Sequence, residues 1–204
     1  MKRLLMILAW LGSLFAVSRV PVQADDSTDV RAVIQMAKGG RIVIKFYPQD
    51  APLSVANFIK LAKKGFYDGL TFHRVVPGFV AQGGDPNGDG SGGPGYSIKG
   101  EFSDNGVNNS QTHVKGAVAM ARTNDPDSAG SQFYICLEAQ PALDGKYAVF
   151  GQVVEGMDLV EQIQVGDKME KVTIVGGGAK KPAAQPAAES TPAESTPAAP
   201  ATQN

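Results

Sequence analysis

Two short runs alternate strictly between apolar and polar positions. Val30, Ala32, Ile34 and Met36 interleave with Arg31, Val33 and Gln35; after Lys38-Gly39-Gly40, Ile42, Ile44 and Phe46 interleave with Arg41, Val43 and Lys45. A period of two puts each set on one face of a strand, and a glycine-bearing turn between two such runs predicts a β-hairpin. The period then changes. Val55, Phe58, Ile59 and Ala62 recur at helical spacing and form one apolar stripe. Asp50 is available as a cap, Pro52 suits the first turn, Lys63 and Lys64 favour the negative end of the helix dipole, and Gly65 stops it. Further strands are predicted over residues 71–76, 79–82, 116–121, 133–137, 148–154 and 172–175, with a second short helix over 157–163. About eight strands and two helices predict a mainly β domain, a closed eight-stranded antiparallel barrel capped by two α-helices. The 24 glycines fit its many tight turns.

The two ends do not share this pattern. Lys2 and Arg3 precede an apolar stretch of 14 residues, Leu4 to Val17, and Val22-Gln23-Ala24 offers small residues for cleavage. Residues 1–24 therefore read as a secretory signal peptide, with the mature chain beginning near Asp25 in the periplasm or outside the cell. The stretch is shorter than the roughly 20 residues that span a bilayer, so retention as an anchor is the minority reading. At the other end, Ala188-Glu189-Ser190-Thr191-Pro192 is repeated as Ala193-Glu194-Ser195-Thr196-Pro197, and no large apolar residue follows Val175. Residues 176–204 are expected to be a disordered Pro/Ala/Ser/Thr-rich tail, which leaves 25–175 as the folded domain.

Composition narrows the chemistry. One cysteine, Cys136, excludes an internal disulfide, and two histidines, His73 and His113, are too few for a His/Cys zinc site. Loss of residues 1–24 removes Lys2, Arg3 and Arg19 but no acid, moving the formal charge from −1 to −4. Such a chain is a poor candidate for nucleic-acid binding. Asp85-Pro86-Asn87-Gly88-Asp89-Gly90 imitates the start of a calcium loop, but Tyr96 stands where the twelfth-position acid belongs. No metal and no cofactor is expected.

Strand periodicity places Phe72, Arg74 and Val76 on one face, with His73 opposite; Val80 faces with Gln82, and Gln132 with Tyr134. A long cation and two amides beside apolar side chains make a credible peptide-binding groove. Pattern alone leaves that reading open against an ordinary solvated barrel face.

Longer motifs add a resemblance. Phe72-His73-Arg74-Val75-Val76-Pro77-Gly78-Phe79-Val80-Ala81-Gln82-Gly83-Gly84-Asp85 resembles the signature of the cyclophilin family, as does Gly130-Ser131-Gln132-Phe133-Tyr134-Ile135. Leu143-Asp144-Gly145-Lys146-Tyr147-Ala148-Val149-Phe150-Gly151 and Glu155-Gly156-Met157 continue in family order, so the likeness spans residues 30–175. It implies a cyclophilin-like barrel and a peptidyl-prolyl cis-trans isomerase acting on proline-containing unfolded or flexible polypeptides, here exported ones, as a monomer. The alternative is a non-catalytic peptide-binding chaperone module on the same fold. The resemblance implies Arg74 as catalytic arginine, Phe79, Val80, Tyr134 and Leu143 as the proline pocket, and Gln82, Ala121, Arg122 and Gln132 as the groove for the substrate backbone. Gly90 would line the neighbouring pocket. Tyr147 stands where many members carry His. Val80 and Tyr134 replace the family's frequent Met and Phe and keep an apolar wall; Arg122 replaces a common Asn at a position expected to act chiefly through its backbone. Ala142 stands where members that bind cyclosporin tightly carry Trp, so weak binding of that drug is expected.

That residue set suits the reaction. Rotation about a peptide bond breaks no covalent bond; its barrier, roughly 18–20 kcal/mol, is lost amide resonance. A site that prefers the twisted amide lowers it, and a permanently charged guanidinium can donate a hydrogen bond to the pyramidal nitrogen.

Overall fold

The computed structural model describes residues 30–176. The expected leader, and all but the first residue of the expected tail, lie outside them. Among the described residues the order is β1 (Arg31–Met36), β2 (Arg41–Phe46), α1 (Pro52–Lys63), β3 (Phe72–Val76), β4 (Val80–Gly83), β5 (Ala117–Met120), β6 (Phe133–Cys136), β7 (Val149–Glu155), α2 (Met157–Glu161) and β8 (Met169–Val175). Short 3-10 turns span Ser103–Asn105 and Pro141–Leu143.

The alternation in β1 becomes burial: Ala32, Ile34 and Met36 are inaccessible to solvent while Arg31, Val33 and Gln35 are half-buried. The strands form one antiparallel sheet in the order β3-β4-β6-β5-β7-β2-β1-β8. No continuous ladder joins its terminal strands β3 and β8. The isolated bridge Thr71–Lys168 spans the seam, with Phe72 N–H donating to Asp167 O and Gly166 N–H to Phe72 O, both at 2.9 Å.

Helix α1 supplies the interior. Phe58 lies 4.8 Å from the Tyr67 ring, 5.4 Å from Phe133, 5.5 Å from Phe150 and 5.7 Å from Phe46. Each fully buried aromatic of this kind contributes about 1.5–3 kcal/mol, and the rings bind helix to sheet. The helix ends as expected at Gly65, whose positive φ of 70° lets its N–H reach Ala62 O while Phe66 N–H reaches Leu61 O, a Schellman closure.

Its start differs from expectation. Ala51, not Asp50, is the N-cap, and no local side chain caps it. Asp50 instead accepts from Ser110 Oγ at 2.9 Å and Gln111 Nε2 at 3.0 Å. The first-turn N–H groups go to Glu101, a buried carboxylate from a distant loop. A fully buried carboxylate outcompetes a half-buried local one whose oxygens are already taken. The helix also buries Ser54 and Asn57, because Glu101 and Gly130 O satisfy them.

A second departure bears on the site. The pairing of β3 with β4 slips between Phe72 and Arg74, so alternation fails there. Phe72 packs in the main core, whereas Arg74 is exposed. The two do not share a face. Both ring nitrogens of His73 are buried and have no hydrogen-bond partner among the described residues.

Candidate active site

Sheet register assembles the site. Arg74 on β3 pairs with Gln82 on β4, Gln82 with Tyr134 on β6, and Tyr134 with Ala119 on β5. Directly paired positions share a face, so four strands line up one row of side chains. That face is not the one packed on α1. Ala81, Phe133 and Ile135 enter the main core; Val80, Tyr134 and Cys136, alternating with them, join Ala117, Ala119 and Val149 in a second apolar cluster. Phe79, Ala121, Leu143 and Tyr147 pack on its edge.

Above this cluster, Arg74, Phe79, Val80, Gln82, Ala121, Arg122, Tyr134, Leu143 and Tyr147 enclose a cavity of about 180 Å³. Drug-sized ligand pockets run roughly 300–1,000 Å³, so this one fits a single ring-sized group. Arg74 stands at its rim with the guanidinium carbon 5.8 Å from the Phe79 ring centroid. Its Nη1 donates to Gln82 Oε1 at 3.3 Å; Gln82 Nε2 donates to Gln132 Oε1 at 2.9 Å; Gln132 Nε2 donates to Gly90 O and Gly92 O, each at 2.9 Å. The relay orients the arginine from the glycine-rich loop. A neighbouring groove of about 680 Å³ is lined by that loop together with Gln82, Ala121, Arg122 and Gln132.

All eleven residues expected from the sequence thus fall on these two connected cavities. Arg122 differs in how it takes part. Its Nε and Nη2 donate to Lys146 O at 3.1 and 2.8 Å, and its guanidinium lies 4.6 Å from the Tyr147 ring centroid. Arg122 thus lines both cavities, with its flat guanidinium lying over the Tyr147 ring. The same contact gives Tyr147 a defined place.

The loop resembling a calcium site uses its first carboxylate internally. Asp85 is buried and accepts from the N–H groups of Asn87 and Asp89 at 2.9 Å and Gly90 at 2.5 Å. Burial, with Asp144 adding to it, pushes the Cys136 thiol up to about 12, so it is neutral and unsuited to nucleophilic attack.

Two residues were missed. His113 and Asp144 lie behind the cavity, with His113 Nε2 3.0 Å from the Tyr134 hydroxyl and Nδ1 2.8 Å from Asp144 Oδ1. A signal existed: a tyrosine on an apolar wall has a hydroxyl that needs a partner. Burial pushes that phenol far above its ordinary value, so it stays protonated.

A family model described as cyclophilin type peptidyl-prolyl cis-trans isomerase/CLD matches residues 31–182. The chain is 51% identical over 138 residues to peptidyl-prolyl cis-trans isomerase B of Bacillus subtilis, covering 68% of this chain and 93% of that protein. It is 47% identical over 147 residues to a peptidyl-prolyl cis-trans isomerase of Synechococcus elongatus, covering 71% and 96%. Among solved structures, a cyclophilin-type isomerase of Cryptosporidium parvum, crystallised in the presence of the dipeptide Ala-Pro, superposes with a TM-score of 0.64 at 25% identity, covering 72% of this chain and 99% of the other.

Proposed function

The chain belongs to the cyclophilin-type peptidyl-prolyl cis-trans isomerase family, and from that premise we propose that Arg74 stabilises the twisted X–Pro bond while the 180 Å³ cavity holds the proline ring. The protein accelerates rotation about X–Pro peptide bonds. Uncatalysed, that rotation takes tens to hundreds of seconds.

The observation that carries the residue assignment is the position of Arg74 at the rim, one donor given to Gln82 and the guanidinium beside Phe79. In the planar amide the nitrogen lone pair is delocalised and accepts no hydrogen bond. As the bond twists, the nitrogen pyramidalises, the lone pair localises, and a guanidinium donor gains an acceptor that exists only near the transition state. Phe79, Val80, Tyr134 and Leu143 grip the ring equally in both planar forms. The segment before proline would run over the larger groove, where Gln82, Gln132 and the backbone of Ala121 offer amide partners.

The leader-like N-terminus supports a role on exported polypeptides, whose folding the enzyme would assist outside the cytoplasm. The hydrogen-bonded seam between residues 69–72 and 166–169 supports reading the curled sheet as a closed barrel. The protein would work as a monomer without cofactor and bind cyclosporin weakly.

NMR exchange on an Ala-Pro peptide tests the assignment. Arg74→Ala is expected to lower kcat/KM by about 10²–10³-fold with an unchanged thermal midpoint, the loss typical of one transition-state donor. Undiminished turnover in that variant would remove Arg74 from the mechanism. Background exchange with the unaltered protein would leave only a peptide-binding module.

A further inference from the structure

The wall of the ring cavity is anchored by one buried imidazole. The His113 side chain is fully inaccessible to solvent. Its Nδ1 and its backbone N–H both meet Asp144 Oδ1, at 2.8 and 2.7 Å. Its carbonyl accepts from Gln140 N–H at 2.7 Å, and its Nε2 lies 3.0 Å from the Tyr134 hydroxyl. Gln140 and Asp144 flank the turn Pro141–Leu143. His113 therefore ties together two walls contributed by separate parts of the chain: Tyr134 from β6 and Leu143 from the turn. Because the carboxylate only accepts, Nδ1 carries the proton, and Nε2 accepts from the tyrosine hydroxyl.

We propose that His113, oriented by Asp144, is a positioning residue for isomerisation: it holds Tyr134 and Leu143 in a single arrangement, so the ring cavity is formed before substrate arrives. The inference rests on this cavity being the proline site. A phenylalanine in place of Tyr134 would be placed by packing alone; the hydroxyl adds a directional anchor at the far end of the ring.

The anchor is sensitive to protonation. A proton on Nε2 makes both groups donors, so the hydroxyl must rotate and its proton faces an apolar cluster. The titratable and charged groups around the pair are Asp144 beyond the turn, Tyr134 and Cys136 on β6, Tyr147 before β7, and Arg122 stacked on Tyr147. Burial holds His113 below its ordinary value, with Asp144 pulling the other way. The neutral, bonded arrangement is the one present at pH 7.

The test separates KM from kcat for an Ala-Pro peptide between pH 5 and 8, with circular dichroism reporting the fold. His113→Phe is expected to raise KM about tenfold with little change in kcat, as loss of uniform ring binding does. Asp144→Asn keeps an acceptor for both His113 N–H groups and should stay near wild type, whereas Asp144→Ala should follow His113→Phe. In the wild type, KM should rise on acidification; in Tyr134→Phe that rise should be lost, because no hydroxyl bond to Nε2 is left for the proton to break. Tyr134→Phe keeps the ring and carries the test should His113→Phe fail to fold. A wild-type KM in His113→Phe, or the same acid rise in Tyr134→Phe as in the wild type, overturns the positioning role. Phe79→Ala distinguishes the two levels: if it too leaves KM unchanged, the cavity is not the proline site, and if it alone raises KM, only the role of His113 fails.

Discussion

Ser54 gives Glu101 Oε2 both its backbone N–H, at 2.8 Å, and its hydroxyl, at 2.7 Å, across 47 residues of sequence. The other oxygen takes Leu53 N–H at 2.8 Å. One buried carboxylate thus replaces the local cap that α1 lacks. Glu101→Ala would strand three donors at the buried start of the helix, and hydrogen bonds to a charged group are worth about 1.5–3 kcal/mol each before relaxation. A loss of about 3 kcal/mol in urea unfolding is expected. A loss below about 0.5 kcal/mol, the range of an ordinary surface change, would show that water replaces the cap.

Gln132 links the glycine-rich loop to Gln82 and through it to Arg74. Gln132→Ala removes every bond in that relay except the last. It should lower kcat/KM by about tenfold, corresponding to about 1.4 kcal/mol of lost orientation, with the fold intact. Turnover equal to wild type would mean that Arg74 is held without the relay.

Ala142 is exposed in the turn that also carries Leu143, beside the ring cavity. Ala142→Trp would add an apolar face and an indole N–H at the rim. Calorimetry should show tighter cyclosporin binding than the wild type, about tenfold or more for one well-placed aromatic contact, while peptide turnover is unchanged. Equal affinity in the two proteins would detach drug binding from this position.

The buried pair behind the cavity also sets a pH dependence of stability. Burial depresses His113 in the folded state, despite the opposing pull of Asp144, below its ordinary 6.5. The unfolded chain then binds that proton more readily, so stability present above pH 6.5 is lost as pH falls through the folded value. For Asp144, burial works upward, but the backbone and ring N–H groups of His113 outweigh it and hold the carboxyl below its ordinary 3.8. Its contribution is present above that pH and lost below it. Thermal melts from pH 7.5 to 3 should therefore fall in two stages, and His113→Phe should remove the upper one. A wild-type melting temperature that is level between pH 7.5 and 5 would contradict the first stage.

Much of the site could be read from the sequence. Alternation in residues 80–82 and 132–136 separated Val80, Gln82, Gln132 and Tyr134 from Ala81, Phe133 and Ile135, and the two sets pack on opposite faces of the sheet. The same rule failed across Phe72 and Arg74, because a register slip between paired strands leaves no trace in either strand's own pattern. The expected Asp50 cap failed for a related reason: the donors of α1 chose the acceptor that burial strengthened most, and Glu101 becomes buried only once its loop has docked.

Taken by itself, the chain determined which segments are strands or helix, where glycine turns them, and which side chains line the cavities. These follow from the steric period of a few consecutive residues and from motifs kept in order. The tertiary structure alone decided what holds those side chains in place: the bulge that frees Arg74 from the core, the stacking of Arg122 on Tyr147, and the bridge from Tyr134 through His113 to Asp144. Each joins groups that only folding brings together, at a point that no local stretch of sequence specifies.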